Sequence, residues 1–67
     1  MPTIQVKLKK YRLKQGITQD DLAQKLGVTR QTINAIEAGK YQPTLYLAYQ
    51  CAEFFNISIK DIFTFKD

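Results

Sequence analysis

The hydrophobic pattern changes its period twice along the chain. Ile4, Val6 and Leu8 alternate with Gln5, Lys7 and Lys9, a period of two that suits a short strand over Thr3 to Val6. Helical spacing then takes over. Leu8, Tyr11 and Arg12 fall three and four apart and predict a first helix from about residue 7 to Gln15, which Gly16 is placed to end in a left-handed cap. Thr18 opens a second helix, because its hydroxyl can accept from the free backbone donors of the first turn. Asp20 and Asp21 sit where the helix dipole favours negative charge. Leu22, Ala23 and Leu26 form its buried stripe, and Gly27 supplies a tight turn. Thr29 repeats the capping logic for a third helix, Arg30 to about Ala38, with Val28, Ile33 and Ile36 facing the core and Gly39 closing it.

The loop that follows ends at Pro43, which disfavours helical geometry at Gln42. Thr44 caps a fourth helix through Phe55, with Leu45, Ala48, Cys51, Ala52 and Phe55 on one face. Ser58 caps a short fifth helix containing Ile59, Asp61 and Ile62, and Asp61 lies three residues on, as in a capping box with a shorter acid. Phe63 to Lys66 alternate again and are expected to pair with Thr3 to Val6. Two strands alone are marginal, so this pair requires the helical body beneath it. The expected fold is mainly α: one domain over residues 1–67, five helices, and a small two-stranded antiparallel sheet made from the chain ends.

The informative stretch lies within residues 18–38: a helix, a glycine turn and a second helix. Ala23 must be small because the second helix of the pair crosses closely over it. Gly27 permits a backbone angle that a side chain would resist. Val28, Ile33 and Ile36 hold the second helix against the domain. That leaves Thr29, Arg30, Gln31, Thr32 and Asn34 facing outward, a surface rich in groups that hydrogen-bond base edges. Arginine pairs bidentately with guanine and glutamine with adenine in the major groove, which makes Arg30 and Gln31 candidate readers. Asn34 lies a turn further from the helix end that enters the groove. The plain alternative for all of them is a solvated helix face.

Charge agrees with a nucleic-acid partner. The net charge is +4 and the pI about 9.4, and cationic side chains release the counterions condensed on phosphates. The distribution says more: Lys7, Lys9, Lys10, Arg12 and Lys14 all precede the first acid, Asp20. Other chemistry is poorly supplied. With one cysteine and no histidine, the chain can form no internal disulfide and no Cys/His zinc site. It also has no assembled nucleophilic or acid–base set, so no catalytic residue, metal or cofactor is expected. Cys51 reads as a small core residue on an apolar face. Asp20, Asp21 and Asp61 occupy helix starts, where the backbone already explains them. No apolar run approaches the roughly 20 residues of a membrane span, and a cytoplasmic protein with no membrane partner is expected.

Leu13, Tyr46, Leu47, Phe54 and Ile57 are expected as exposed apolar residues, too many for a monomer. Some can cover the little sheet. Others can form a homodimer seam, for which Tyr46, Leu47, Phe54 and Ile57 are the candidates.

The stretch TQDDLAQKLGVTRQTINAIEAGKYQPT resembles the helix-turn-helix family of lambdoid phage repressors and Cro proteins, the XRE family, and the likeness extends from about Leu8 to Phe63. It implies a five-helix repressor-like domain whose second and third helices read DNA, in a sequence-specific transcriptional regulator that is more often a repressor. By the same resemblance Gln19 holds a phosphate and braces the recognition helix. Thr29, Arg30, Gln31, Thr32 and Asn34 face bases and phosphates, and Lys40 and Tyr41 lie along the DNA backbone. Arg12 and Glu37 form a structural ion pair. Leu13, Ala38, Tyr46 and Tyr49 depart from the family pattern on outer surfaces. Two readings follow: a dimeric regulator on double-stranded DNA, or an antitoxin-like module that binds a partner protein and regulates its own promoter.

Overall fold

Four of the five helices begin where a hydroxyl satisfies one of the first free backbone N–H groups. The computed structural model describes residues 3–66, so residues 1, 2 and 67 of the expected domain lie outside the described part. In chain order the elements are β1 (Thr3–Val6), α1 (Leu8–Lys14), α2 (Gln19–Leu26), α3 (Arg30–Glu37), α4 (Leu45–Phe55), α5 (Ile59–Ile62) and β2 (Phe63–Lys66). This is the mainly helical fold with a terminal sheet that the residue pattern predicts, with helix ends shifted by about one residue, as is usual for fraying ends.

The caps are more complete than expected. Thr18 Oγ1 accepts from the Asp21 N–H at 3.0 Å, and the Asp21 carboxylate accepts from the Thr18 N–H at 3.1 Å, closing a capping box. The sequence reading assigns Asp21 only to the helix dipole. Donation from Thr18, its backbone first, holds the Asp21 carboxyl below its ordinary value. Ser58 and Asp61 form the second box. Thr29 and Thr44 accept from the N–H groups of Thr32 and Leu47. Helix α1 has no side-chain cap; instead the Lys7 N–H donates to the Ile62 carbonyl at 2.7 Å, tying the start of α1 to the end of α5.

Gly27 ends α2 in the left-handed region, φ +72°, and the Val28 N–H then donates to the Ala23 carbonyl at 3.0 Å. A Cβ at Gly27 would meet no atom within 4 Å, so the cost of a side chain there is purely one of backbone conformation. Gly27→Ala is therefore expected to destabilise the domain by about 1–2 kcal/mol. A thermal melt checks this: an unchanged Tm would mean that the turn relaxes to another geometry.

The core is built from Leu8, Leu22, Ile33, Ile36, Cys51 and Ile62, all fully buried, with Ala23 between α2 and α3 at 1% exposure. Burial pushes the Cys51 thiol up to about 11, which keeps it protonated and inert at neutral pH. Tyr11 and Phe55 meet at a tilt of 40° with ring centroids 6.1 Å apart, and Phe54 meets Phe55 edge-on at 5.0 Å.

The strands pair antiparallel, Ile4 with Phe65 and Val6 with Phe63, so alternation places these four on one face. Val6 and Phe63 pack partly on the core, whereas Phe65 is 77% exposed. Together with Tyr41, Pro43 and Leu45 they line an apolar groove of about 900 Å³.

Two apolar assignments are reversed by the structure. Leu45, expected on the core face, is 79% exposed, and Leu47, expected at a dimer seam, is 7% exposed. Both lie at the edges of the apolar arc of α4. The edge carrying Leu47 joins the core cluster, while Leu45, in the first turn, opens onto the groove beside the sheet. Phe54, near the end of α4, and Ile57, just after it, are half-buried and pack against the core. Of the four seam candidates only Tyr46, at 71%, is largely exposed.

Candidate nucleic-acid interface

Helices α2 and α3 pack on each other through Ala23, Leu22, Ile33 and Ile36, which turns the opposite side of α3 to solvent. Arg30, Gln31 and Asn34 are exposed, and Thr32 is half-buried. Val28 packs partly against the core just before α3 begins. The aliphatic side chains thus hold the helix by one side and leave its polar side free.

The candidate residues fall into three groups. Thr29 and Thr32 are tied together: their hydroxyl oxygens are 3.0 Å apart, and Thr29 Oγ1 also accepts from the Thr32 N–H at 3.2 Å. Thr29 caps the helix and Thr32 bonds to that cap, which leaves only part of each hydroxyl for a ligand. The side chains of Arg30, Gln31, Lys40 and Tyr41 form no hydrogen bond among the described residues. Arg30, Gln31 and Lys40 are exposed, and Tyr41 is 45% exposed. Lys40 is positioned by its backbone, whose N–H donates to the Ala35 carbonyl at 2.9 Å and closes the end of α3.

The third group is a connected network. Arg12 Nε donates to Glu37 Oε2 at 2.7 Å and Nη2 to Oε1 at 3.2 Å, the two-point geometry of a strong guanidinium–carboxylate pair. The two side chains are 8% and 4% exposed. Arg12 Nη1 also donates to the Ile17 carbonyl at 2.9 Å, which holds the α1–α2 turn. Gln19 Nε2 donates to Glu37 Oε1 at 3.0 Å, and Gln19 Oε1 accepts from Asn34 Nδ2 at 3.4 Å. The ion pair that the resemblance implies is present in the fold. Its extension to Gln19 and Asn34 joins residues 18 and 15 positions apart, and no local spacing rule announces it.

The outward side of α3 also carries an apolar position outside the expected set. Ala35 lies four residues after Gln31, so its methyl lies next to Gln31 on the surface of α3, and it is half-buried. The signal was available in the i, i+4 spacing. The choice of polar residues alone hid it.

No helix among the described residues is long and apolar enough to cross a membrane. The helix-turn-helix family model matches residues 8–62. An uncharacterised HTH-type transcriptional regulator of Methanocaldococcus jannaschii is 59% identical over 61 residues, covering 91% of this chain and 92% of that protein. A second from Archaeoglobus fulgidus is 47% identical over 64 residues, covering 96% and 91%. A third from Bacillus subtilis is 39% identical over 61 residues, covering 91% and 92%. With α2, the Gly27 turn and α3 in place, and with these relatives along nearly its whole length, the chain belongs to the XRE-type helix-turn-helix family of DNA-binding transcriptional regulators.

Proposed function

We propose that this protein is a sequence-specific regulator, a repressor, that binds a near-palindromic operator as a homodimer through the major groove. The observation that carries the reading is the division of α3. Ile33 and Ile36 are fully buried, while Arg30, Gln31 and Asn34 are exposed and free to meet base edges. Ala35 adds an apolar contact suited to a thymine methyl group. Gln19, Lys40 and Tyr41 then hold phosphates, and Thr29 and Thr32 support the entering end of the helix. A two-fold dimer sets two such helices about 34 Å apart, one turn of B-DNA.

The surface for that two-fold contact is the exposed apolar set Ile4, Leu45, Tyr46 and Phe65. It replaces Leu47, Phe54 and Ile57, whose side chains pack within the monomer. Leu45→Glu combined with Phe65→Lys is expected to give a monomer in sedimentation; a dimer that survives both changes places the seam elsewhere.

Selection of bound duplexes from a random pool, with sizing of the complex, tests the function directly. Two half-sites in inverted repeat and two chains per duplex are expected. In the same assay Gln31→Ala is expected to relax preference at one base step per half-site by about 5- to 150-fold. Lys40→Ala should instead weaken binding to all sequences and reduce the salt slope by about one phosphate contact. Identical base preferences for Gln31→Ala and wild type would remove the assigned readout.

The second reading, an antitoxin-like module that binds a partner protein and regulates its own promoter, draws on the exposed aromatics Tyr46 and Tyr49 on α4. A stoichiometric second protein retained through purification supports it, and a clean homodimer counts against it.

A further inference from the structure

The segment between α3 and α4 serves two surfaces at once. Lys40 and Tyr41 are its phosphate-contact candidates, while Tyr41, Gln42 and Pro43 line the apolar groove together with Ile4, Leu45 and Phe65. Its ends are held and its middle is not. At one end the Lys40 N–H donates to the Ala35 carbonyl at 2.9 Å, and at the other Thr44 Oγ1 accepts from the Leu47 N–H at 3.1 Å. Between them Tyr41, Gln42 and Pro43 make no backbone hydrogen bond among the described residues. A stretch with so few internal bonds has low local stability, so whatever fills the groove decides how firmly it is held.

The groove has the make-up of a contact between copies. Lys60 alone among its lining residues carries a charge. Ile4, Tyr41, Leu45 and Phe65 are 37%, 45%, 79% and 77% exposed. At about 200 Å² for a large side chain they leave roughly 450 Å² open. That is more than half of the ~800 Å² each partner gives to a standard interface. A two-fold contact needs one patch that is its own complement, and a projecting Phe65 beside an apolar groove supplies both halves. We propose that a second copy lays its Phe65 into this groove, and that the contact fixes Tyr41 to Pro43, so that Lys40 and Tyr41 hold phosphate fully only in the dimer. This rests on the proposed homodimer and goes beyond it, because the two-fold contact then completes the DNA-facing loop as well as spacing the two α3 helices. Ordering the loop before a duplex arrives removes that cost from binding.

The test crosses Lys40→Ala with the paired change Leu45→Glu and Phe65→Lys. Sedimentation and circular dichroism first establish the oligomer and the fold of each protein. Binding is then measured to a duplex carrying one selected half-site, so that the second recognition helix adds nothing. Lys40→Ala is expected to weaken binding by about 5-fold or more in the dimeric background and to change it little in the monomeric one, a coupling within the usual range of about 5- to 150-fold. Hydrogen exchange at the Tyr41 and Gln42 amides should be slower in the wild-type dimer than in the monomeric paired variant. Wild type diluted until it dissociates replaces that variant if the latter does not fold. An equal effect of Lys40→Ala in both backgrounds overturns the proposal, and so does exchange at these amides that ignores the oligomer. A paired variant that stays dimeric, or a wild type that sediments as a monomer or with a different protein on this face, takes the second copy out of the groove and overturns it too. Wild type that retains no duplex sinks the DNA reading itself, and the coupling with it, an outcome separable from the others.

Discussion

Glu37→Ala is expected to destabilise the domain by about 3–5 kcal/mol, because it leaves the Arg12 guanidinium buried and unpaired. Arg12 would keep its bond to the Ile17 carbonyl but lose both bonds to the carboxylate, and at 8% side-chain exposure solvent replaces them poorly. A domain of 67 residues has a total stability of about 3–10 kcal/mol. The loss is therefore comparable to the whole, and much of the variant should be unfolded at 37 °C. Urea denaturation followed by circular dichroism measures it. The companion experiment removes both charges. Arg12→Met with Glu37→Leu replaces the pair by apolar side chains of similar bulk, and such replacements are often neutral or stabilising. The double variant should recover most of the loss. A single variant within about 1 kcal/mol of wild type would contradict the buried pair, since that is the range of an exposed one.

The second large effect concerns the anchoring of α3. Ile33 is fully buried between α3 and the rest of the core, and Ile33→Ala should cost about 2–5 kcal/mol, combining lost transfer energy with the cavity left behind. The denaturant midpoint should fall with little change in slope, because the surface exposed on unfolding is almost the same. Val28 is only half-buried, so Val28→Ala should cost less, about 1 kcal/mol. The contrast is the useful part. If the two changes cost the same small amount, α3 is held by something other than its aliphatic side. DNA affinity should follow the folded fraction in Ile33→Ala, and base preference should be retained, because the outward side chains are unaltered.

Both effects follow from a division of labour that also bears on binding. The buried side of α3 fixes where the helix lies, and the Arg12–Glu37 pair fixes its C-terminal end against α1. The Gly27 turn fixes its entry. The side chains proposed to meet a duplex are thereby placed on a rigid element, so little backbone freedom remains to be lost on binding. The side chains of Arg30 and Gln31 are exposed and have no hydrogen-bond partner among the described residues. Gln19 and Asn34 are already oriented by the protein.

The amino-acid sequence by itself determined the order and type of the elements. Caps, helical spacing and strand alternation act over three or four residues, so Thr18, Thr29, Thr44 and Ser58 mark helix starts without reference to anything distant. The exposed set on α3 was legible for the same reason, once Ile33 and Ile36 were recognised as its buried side. The tertiary structure alone decided what depends on how remote segments meet. The local pattern places Leu45 on the core face and Leu47 off it, and only the packing of α4 against its neighbours buries Leu47 and exposes Leu45. Likewise, nothing in local spacing relates Gln19 to Glu37 or to Asn34. The Gln19 amide takes its direction because folding brings a buried carboxylate, which can only accept, to the C-terminal end of α3.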